Sequence, residues 1–263
     1  MEWLLTVAQE HGWEGKLDAV TRQILTAPPD SPALLSQTRA VQIVGHARRG
    51  EAEAAMMAFD MALKGIRLRQ PQEITNLAVS TALAFQLHGD VDAARAVYER
   101  LNSAFFLNPE VRDFVAHRQE RLALLGKPAP EVSLTNLTGK NLVWSDYLGK
   151  VLVLDFWATN CRPCLEELPR LRRFYRDREV NKVDLLGISL DEDVADIVRL
   201  QQQEPLPWPI ALDQKRATTA FKVVLIPCLM ALDHEGRVAA VDIPPRALSS
   251  TVAELVARIP PVK

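Results

Sequence analysis

Residues 151–169, VLVLDFWATNCRPCLEELP, decide the fold of this chain. The first seven of these residues are apolar, β-branched or aromatic except for Asp155, which predicts a strand that is covered on both faces. Asn160 is a candidate helix cap, and Pro163 suits the first turn of a helix. The leucines that follow recur at helical spacing. The segment therefore predicts a buried strand that runs directly into a helix.

Two thiols lie at the N-terminal end of that predicted helix. Unpaired amide N–H groups and the helix dipole favour negative charge there, so they stabilise a thiolate over a thiol, and Arg162 acts in the same direction. A CxxC pair in this position typically has one sulfur whose pKa falls from about 8.5 towards about 7 or lower. We therefore predict that Cys161, nearer the exposed tip, is the attacking thiol and that Cys164 is the resolving thiol.

Composition narrows the class of protein. With 263 residues, 48% of them apolar and 24% charged, the chain can form one large or two ordinary soluble domains. A net charge of −2 gives no electrostatic reason to expect nucleic acid or an anionic membrane as a partner. The start, MEWLLTVAQEHGWEGK, lacks the features of a signal peptide, and no apolar run is long enough to span a bilayer. These features predict a cytoplasmic protein, or a chain that begins after processing or truncation.

The first 126 residues are predicted to be entirely helical and weakly repetitive. Turns at Gly15-Lys16, Gly50-Glu51 and Gly89-Asp90 recur after 35 and 39 residues. Three positions recur when counted from each of these glycines. The fifth holds a small or branched residue: Val20, Ala55 and Ala94. The ninth holds a large residue (Ile24, Phe59 and Tyr98), and the twelfth holds an alanine or leucine (Ala27, Ala62 and Leu101).

This pattern resembles the tetratricopeptide repeat (TPR), in which paired helices pack small residues against large ones. The resemblance covers roughly residues 1–110 and implies a concave surface that binds a peptide or another protein. The alternative is that these helices are only a scaffold or a dimer contact.

A break at residues 126–130, GKPAP, cannot continue a helix. It predicts two domains, a helical repeat domain at 1–126 and a second domain at 127–263. The second begins with a hairpin around Gly139, and strands and helices then alternate up to a closing hairpin and helix. This order predicts an α/β sheet with antiparallel edges.

Four blocks of the second half resemble, in order, the thioredoxin-fold thiol-disulfide oxidoreductases of the TlpA and ResA type. They are GKPAPEVSLTNLTGK, DYLGKVLVLDFWATNCRPCLEELP, LLGISLDED and VVLIPCLMALDHEGRV, and together they span about residues 126–258. The resemblance implies a central mixed sheet flanked by helices, with an N-terminal β-hairpin. It also implies exchange of the CxxC pair with protein substrates through a mixed disulfide, more in the reducing than the oxidising direction.

The resemblance also assigns the site. Pro227 corresponds to a proline with a cis bond that faces the disulfide, which leaves the backbone groups of Ile226 to pair with an extended substrate. Trp157 and Arg162 are further candidates for that substrate-binding surface. No metal and no cofactor beyond the Cys161–Cys164 disulfide are expected. The implied partners are protein thiol or disulfide substrates and a membrane or soluble thiol reductant, with action outside the cytoplasm.

Two acids are candidates for proton transfer. Asp155 matches the buried aspartate behind the resolving cysteine of thioredoxins, and Glu167 matches a glutamate of ResA-type proteins. A buried carboxyl has its pKa raised by desolvation, so it can take the proton of Cys164 and return it. Glu167 can equally be a solvated helix residue. The lysine that pairs with the aspartate in thioredoxins has no counterpart, because Gly187 falls at that place.

Other interpretations remain beside this one. Cys228 is either a small buried hydrophobe or a third thiol that intercepts mixed disulfides. Zinc binding lacks its four ligands, and haem attachment lacks a histidine after the CxxC, where Leu165 stands. A peroxiredoxin-type site lacks its threonine, because Ala158 occupies that position. The alternative to an enzyme is a protein-interaction module that uses both domains for binding.

Overall fold

The computed structural model describes residues 14–26, 32–65, 71–213 and 215–260. The chain divides into two compact units, residues 1–119 and 120–263. The domain boundary at residues 126 and 127 stays a prediction.

The first unit is built from helices. In chain order they are α1 (Glu14–Thr26), α2 (Pro32–Arg48), α3 (Ala52–Gly65), α4 (Pro71–His88), α5 (Val91–Ala104) and α6 (Pro109–Leu122), whose last turn belongs to the second unit. Helix α2 packs against α1, α3 and α4, and α5 packs against α3 and α4. The predicted all-helical character of this region is therefore confirmed for its described residues.

The repeat positions are buried in the second and third predicted units. Ala55, Phe59, Ala94 and Tyr98 are fully enclosed at 0% exposure. Val20, the matching small position of the first unit, is instead 53% exposed, and Ala27 lies outside the described residues. The small and the large repeat positions are thus buried in two of the three units, and the tetratricopeptide character of the whole region stays a prediction.

The second unit contains a mixed sheet with a short antiparallel hairpin at its N-terminal end. Its strands are β1 (Leu134–Asn136), β2 (Asn141–Leu142), β3 (Val151–Trp157), β4 (Val183–Ser189), β5 (Ile210–Leu212), β6 (Cys228–Leu232) and β7 (Val238–Ala240). Their order is β2-β1-β5-β4-β3-β6-β7. Strands β3, β4 and β5 are parallel to one another, and the remaining pairs are antiparallel. The predicted thioredoxin-like fold is confirmed.

Helices alternate with these strands. They are α7 (Arg162–Asp177), α8 (Val194–Gln203), α9 (Arg216–Ala220) and α10 (Leu248–Val256), with short 3₁₀ turns at Trp144–Tyr147 and Pro245–Ala247. All seven residues of β3 are buried, as expected for a central strand between two helix-covered faces.

The two faces of β3 have different neighbours. On one face the ring of Phe156 lies 5.8 Å from that of Phe221, just after α9. The other face carries Asp155, whose partner on β4 is Gly187. The indole of Trp208 lies over Gly187, and its ring is 5.7 Å from that of Tyr175 on α7. Helix α7 therefore covers the face of the sheet that carries Asp155.

The second unit contains a buried ion pair between Arg121 and Asp242. Arg121 binds the Asp242 carboxylate through Nη2 at 2.8 Å and through Nε at 2.9 and 3.1 Å. Its Nη1 also donates to the Lys222 carbonyl at 2.9 Å. Both side chains of the pair are about 5% exposed. Removal of one partner would therefore leave a charge buried without compensation.

We expect Arg121→Met to lower the free energy of unfolding by about 3 kcal/mol, because the buried Asp242 carboxylate loses its counter-charge. The double variant Arg121→Met/Asp242→Asn should recover part of the loss, since it removes the uncompensated charge and asparagine tolerates the positive φ of 55° at this position. Urea denaturation of the three proteins measures both effects. Equal stability of all three would contradict this role of the pair.

Candidate active site

Strand β3 places the CxxC pair at the start of α7. The strand ends at Trp157, and the helix begins at Arg162 with Cys161 as its N-cap. The Sγ atom of Cys161 accepts a hydrogen bond from the Cys164 N–H at 3.3 Å. The cap predicted at Asn160 is thus displaced by one residue, because Cys161 has the extended backbone of a cap and offers its sulfur as the acceptor.

The two sulfurs differ in access. Cys161 and Cys164 form a disulfide, with Cα atoms 5.3 Å apart. Cys164 is 2% exposed, whereas Cys161 is partly exposed at the helix tip. A substrate sulfur can therefore approach Cys161 from solvent, and Cys164 is enclosed beneath it. This arrangement agrees with the predicted order of attack and resolution.

Asp155 is buried beneath α7. It is 3% exposed, and its carboxyl makes no hydrogen bond or ion pair within the described part of the chain. Burial raises the pKa of Asp155 from an ordinary value of 3.8 to about 7. The carboxyl can therefore hold or release a proton near neutral pH. Gly187 lies opposite Asp155 on the neighbouring strand β4.

Two tryptophans fill the space over Gly187. A Cβ atom at this glycine would lie 3.1 Å from Nε1 of both Trp157 and Trp208. Trp157 is 1% exposed. It therefore has no surface to offer to a substrate, which corrects the substrate-binding role predicted for it. The residue follows the two-residue alternation of β3 and points inwards on the same face as Asp155.

We expect Gly187→Ala to destabilise the protein by about 1–3 kcal/mol, because the added methyl group overpacks the space between the two indoles. Trp208→Phe should lower the free energy of unfolding less in the Gly187→Ala protein than in the parent, since the smaller ring relieves one close contact. A thermodynamic cycle of the four proteins measures this coupling. Strictly additive effects would show that the glycine is not held by these contacts.

The remaining charged candidates lie on the outer side of α7. Glu167 is one third exposed in its side chain and pairs with Arg170 at 3.4 Å. Arg162 is exposed and pairs with Glu166 at 2.9 Å. The position of Glu167 thus fits the solvated interpretation better than that of a buried proton carrier. Arg162 remains accessible to a substrate at the mouth of the site.

The Ile226–Pro227 segment lies at the same edge of the sheet as the CxxC pair. Its peptide bond is cis. Strand β6 runs antiparallel to β3, and Cys228 pairs in register with Phe156, so Pro227 lies level with the end of β3. Pro227 is exposed, as are Val224 and Leu225 at 58% and 66%. An apolar surface that the sequence analysis did not single out therefore precedes the proline.

Cys228 is a buried thiol that takes no part in the disulfide. Alternation along β6 directs its side chain to the face of Phe156, opposite the face covered by α7. This position fits the interpretation of a small core residue.

The loop before Cys161 is held by residues that the prediction missed. The carboxylate of Asp191 accepts hydrogen bonds from the Thr159 N–H at 3.0 Å and from the Ser189 hydroxyl at 2.6 Å. Strands β3 and β4 are parallel neighbours, so their carboxyl ends meet at one edge of the sheet. The polar residues 191–193, which follow β4 in the sequence, were the available signal.

The described residues contain no cluster of three or more potential metal ligands. No helix among them is long and apolar enough to cross a membrane.

Comparison with known proteins identifies relatives of the domain that contains this site. The model of the AhpC/TSA family matches residues 125–241. The thiol-disulfide oxidoreductase ResA of Bacillus thuringiensis subsp. konkukian is 29% identical over 122 residues, which are 46% of this chain and 70% of that protein. ResA of Geobacillus kaustophilus is 31% identical over 115 residues, 43% of this chain and 66% of that protein.

Two solved structures are also similar. The thioredoxin domain of a thiol-disulfide oxidoreductase from Bacteroides vulgatus has 26% identity and a TM-score of 0.47, covering 50% of this chain and 97% of that one. A thiol:disulfide interchange protein from Bacteroides sp. has 26% identity and a TM-score of 0.46, covering 51% and 90%.

The family model and the ResA relatives agree with the fold and with the paired cysteines described above. Residues 125–241 therefore form a thioredoxin-like domain of the AhpC/TSA family, and the chain that carries them is a thiol-disulfide oxidoreductase related to ResA.

Proposed function

We propose that this oxidoreductase reduces protein disulfides, with Cys161 as the nucleophile, Cys164 as the resolving thiol and Asp155 as the proton acceptor. The observation that supports this most directly is that an accessible sulfur and an enclosed sulfur begin the helix that covers the sheet face carrying a buried acid. Glu167 is not the proposed proton acceptor, because it is solvated and paired with Arg170.

The exchange proceeds in two steps. The Cys161 thiolate attacks one sulfur of the substrate disulfide, and the other substrate sulfur leaves as a thiolate. Asp155 takes the proton of Cys164, whose thiolate then attacks the Cys161 sulfur and releases the second substrate sulfur as a thiolate. Two electrons pass from the cysteine pair to the substrate, and the pair becomes a disulfide. A thiol reductant, soluble or in a membrane, returns the pair to the dithiol.

The substrate-binding surface is proposed to lie on the cis-proline side of Cys161. Ile226 offers backbone groups to an extended segment, and Pro227, Val224 and Leu225 offer exposed apolar surface. Arg162 adds a positive charge at the mouth of the site. A substrate segment with apolar residues next to its cysteine suits this surface.

The proposed location follows the ResA relationship, whereas the domain assignments follow the sequence pattern. We propose that the protein acts outside the cytoplasm, that its redox domain spans residues 127–263, and that residues 1–126 are a repeat domain that binds a peptide or protein partner. An open groove of about 660 Å³ in the helical unit supports partner binding. Its lining includes Met57 and Met61, which are 61% and 60% exposed, and flexible methionines suit variable apolar partners.

The test is capture of substrates by Cys164→Ser. This variant can form the mixed disulfide but cannot resolve it, so substrates should accumulate as adducts that dithiothreitol releases and mass spectrometry maps to Cys161. Cys161→Ser/Cys164→Ser serves as the matched control and should capture nothing. Equal capture by the control, or adducts at Cys228, would overturn the assigned order of the thiols.

A further inference from the structure

The segment just before Cys161 is held against the end of β4 by a hydrogen-bonded cluster. This cluster, the Asp191 latch, consists of Thr159, Ser189 and Asp191. The Thr159 N–H donates to both carboxylate oxygens of Asp191 at 3.0 Å, and the Thr159 hydroxyl donates to Oδ1 at 2.5 Å. The Ser189 hydroxyl donates to Oδ2 at 2.6 Å. Every contact is charge-assisted, and such hydrogen bonds are stronger than neutral ones.

The latch fixes both sides of the turn that precedes the nucleophile. Thr159 stands two positions before Cys161, whose N–H donates to the Ala158 carbonyl at 3.2 Å. The Asp191 N–H donates to the Ser189 hydroxyl at 3.1 Å, and the Leu190 N–H donates to the Trp157 carbonyl at 2.9 Å. The turn at 158–161 is therefore bound to β4 through one carboxylate and one backbone contact.

We propose that Asp191 is a positioning residue for the Cys161 nucleophile. Through Thr159 it holds Cys161 at the N-cap of α7, where the Cys164 N–H reaches the sulfur at 3.3 Å. The inference rests on the proposed function, because it concerns the thiolate that attacks the substrate. Asp191 acts through the loop and has no assigned contact with a substrate.

Charge and position act on the Cys161 thiol in opposite directions. A nearby carboxylate disfavours a thiolate, so loss of its charge alone would lower the pKa of Cys161. Loss of the latch would move the sulfur away from the N–H groups at the helix start and would raise that pKa. The sign of the change therefore separates a positioning residue from a charge that merely lies nearby.

The experiment measures the pKa of Cys161 in the reduced full-length protein from the rate of iodoacetamide alkylation against pH, with the modified peptide identified by mass spectrometry. We expect Asp191→Ala to raise this pKa by about half a unit, which lowers the alkylation rate at pH 6 about threefold. Asp191→Asn keeps an oxygen acceptor for Thr159 and should give a pKa at or below that of the parent. Glu192→Gln removes a neighbouring exposed charge outside the latch and is the matched control.

Thr159→Val removes only the hydroxyl donor and leaves every charge in place, so it decides the question if Asp191→Ala fails to fold. We expect a rise in the Cys161 pKa for Thr159→Val and recovery with Thr159→Ser. A fall or no change in both Asp191→Ala and Thr159→Val would overturn the positioning role. An ordinary thiol pKa in the parent protein would instead refute the proposed function, so the two failures are distinguishable.

Discussion

Cys161→Ser is expected to abolish disulfide reduction by this protein. A serine hydroxyl is a far weaker nucleophile than a thiolate, and none of the other thiols can replace Cys161, because Cys164 and Cys228 are only 2% and 6% exposed. Insulin reduction by dithiothreitol, followed with and without the protein, should fall to the uncatalysed rate for this variant.

Two matched variants show which step of the reaction each thiol carries out. Cys164→Ser should also stop turnover, but with accumulation of a mixed disulfide on Cys161, which the first variant cannot form. Cys228→Ser should retain the parent rate, because its side chain lies on the face of the sheet opposite α7. Substantial turnover by Cys161→Ser would show that another residue starts the reaction.

Asp155→Asn is expected to slow resolution of the mixed disulfide by about a hundredfold at pH 7–8, the lower end of the range for loss of a general base. In the parent protein the rate should rise as the pH passes about 7, where Asp155 ionises. In the variant this component should disappear and leave only the titration of the thiols. Rapid-mixing measurements with a substrate disulfide, taken between pH 5 and 9, compare the two profiles.

Asp155→Asn should raise the stability of the folded protein at neutral pH, although it slows the reaction. The pKa of Asp155 is about 7 in the fold and 3.8 ordinarily, so the folded state holds the proton over this interval. Stability is therefore full below about pH 4 and falls as the pH rises to about 7, by about 4 kcal/mol in total. Asparagine mimics the protonated carboxyl. Asp155→Asn should match the parent at pH 4 and exceed it by about 4 kcal/mol at pH 8.

Glu167→Gln is the comparison that separates the two carboxyls. Glu167 is solvated and paired with Arg170, so its substitution should leave both the pH profile and the pH dependence of stability unchanged. A parent-like rate and pH profile in Asp155→Asn, together with a changed profile in Glu167→Gln, would transfer the proton role from the strand to the helix.

The centre of the fold was predictable because its signals are local. An apolar run, helix-start residues and a leucine stripe occupy one continuous segment, and β3 and α7 follow it closely. Asp155 could also be placed, because a single acid within a buried strand must face an apolar interior. The regular alternation of strands and helices then predicted an α/β sheet with antiparallel edges around it.

The rest depended on contacts that no local pattern reveals. Trp157 was assigned to the surface through the family motif, whereas strand alternation directs it towards Gly187. Asp191 and Thr159 are 32 residues apart in the chain and meet only because β3 and β4 end side by side. The cap moved from Asn160 to Cys161 because both side chains can accept a hydrogen bond, and the sequence does not choose between them.

Titration of the reduced protein tests most directly whether the start of α7 keeps the Cys161 sulfur ionised. Its partner, the enclosed Cys164 sulfur, lies beneath it. Thiolate absorbance at 240 nm, measured on the parent and on Cys161→Ser, isolates the contribution of this one sulfur. We expect a Cys161 pKa of about 7 or lower. A value at or above about 8.5, that of an unperturbed cysteine, would contradict it.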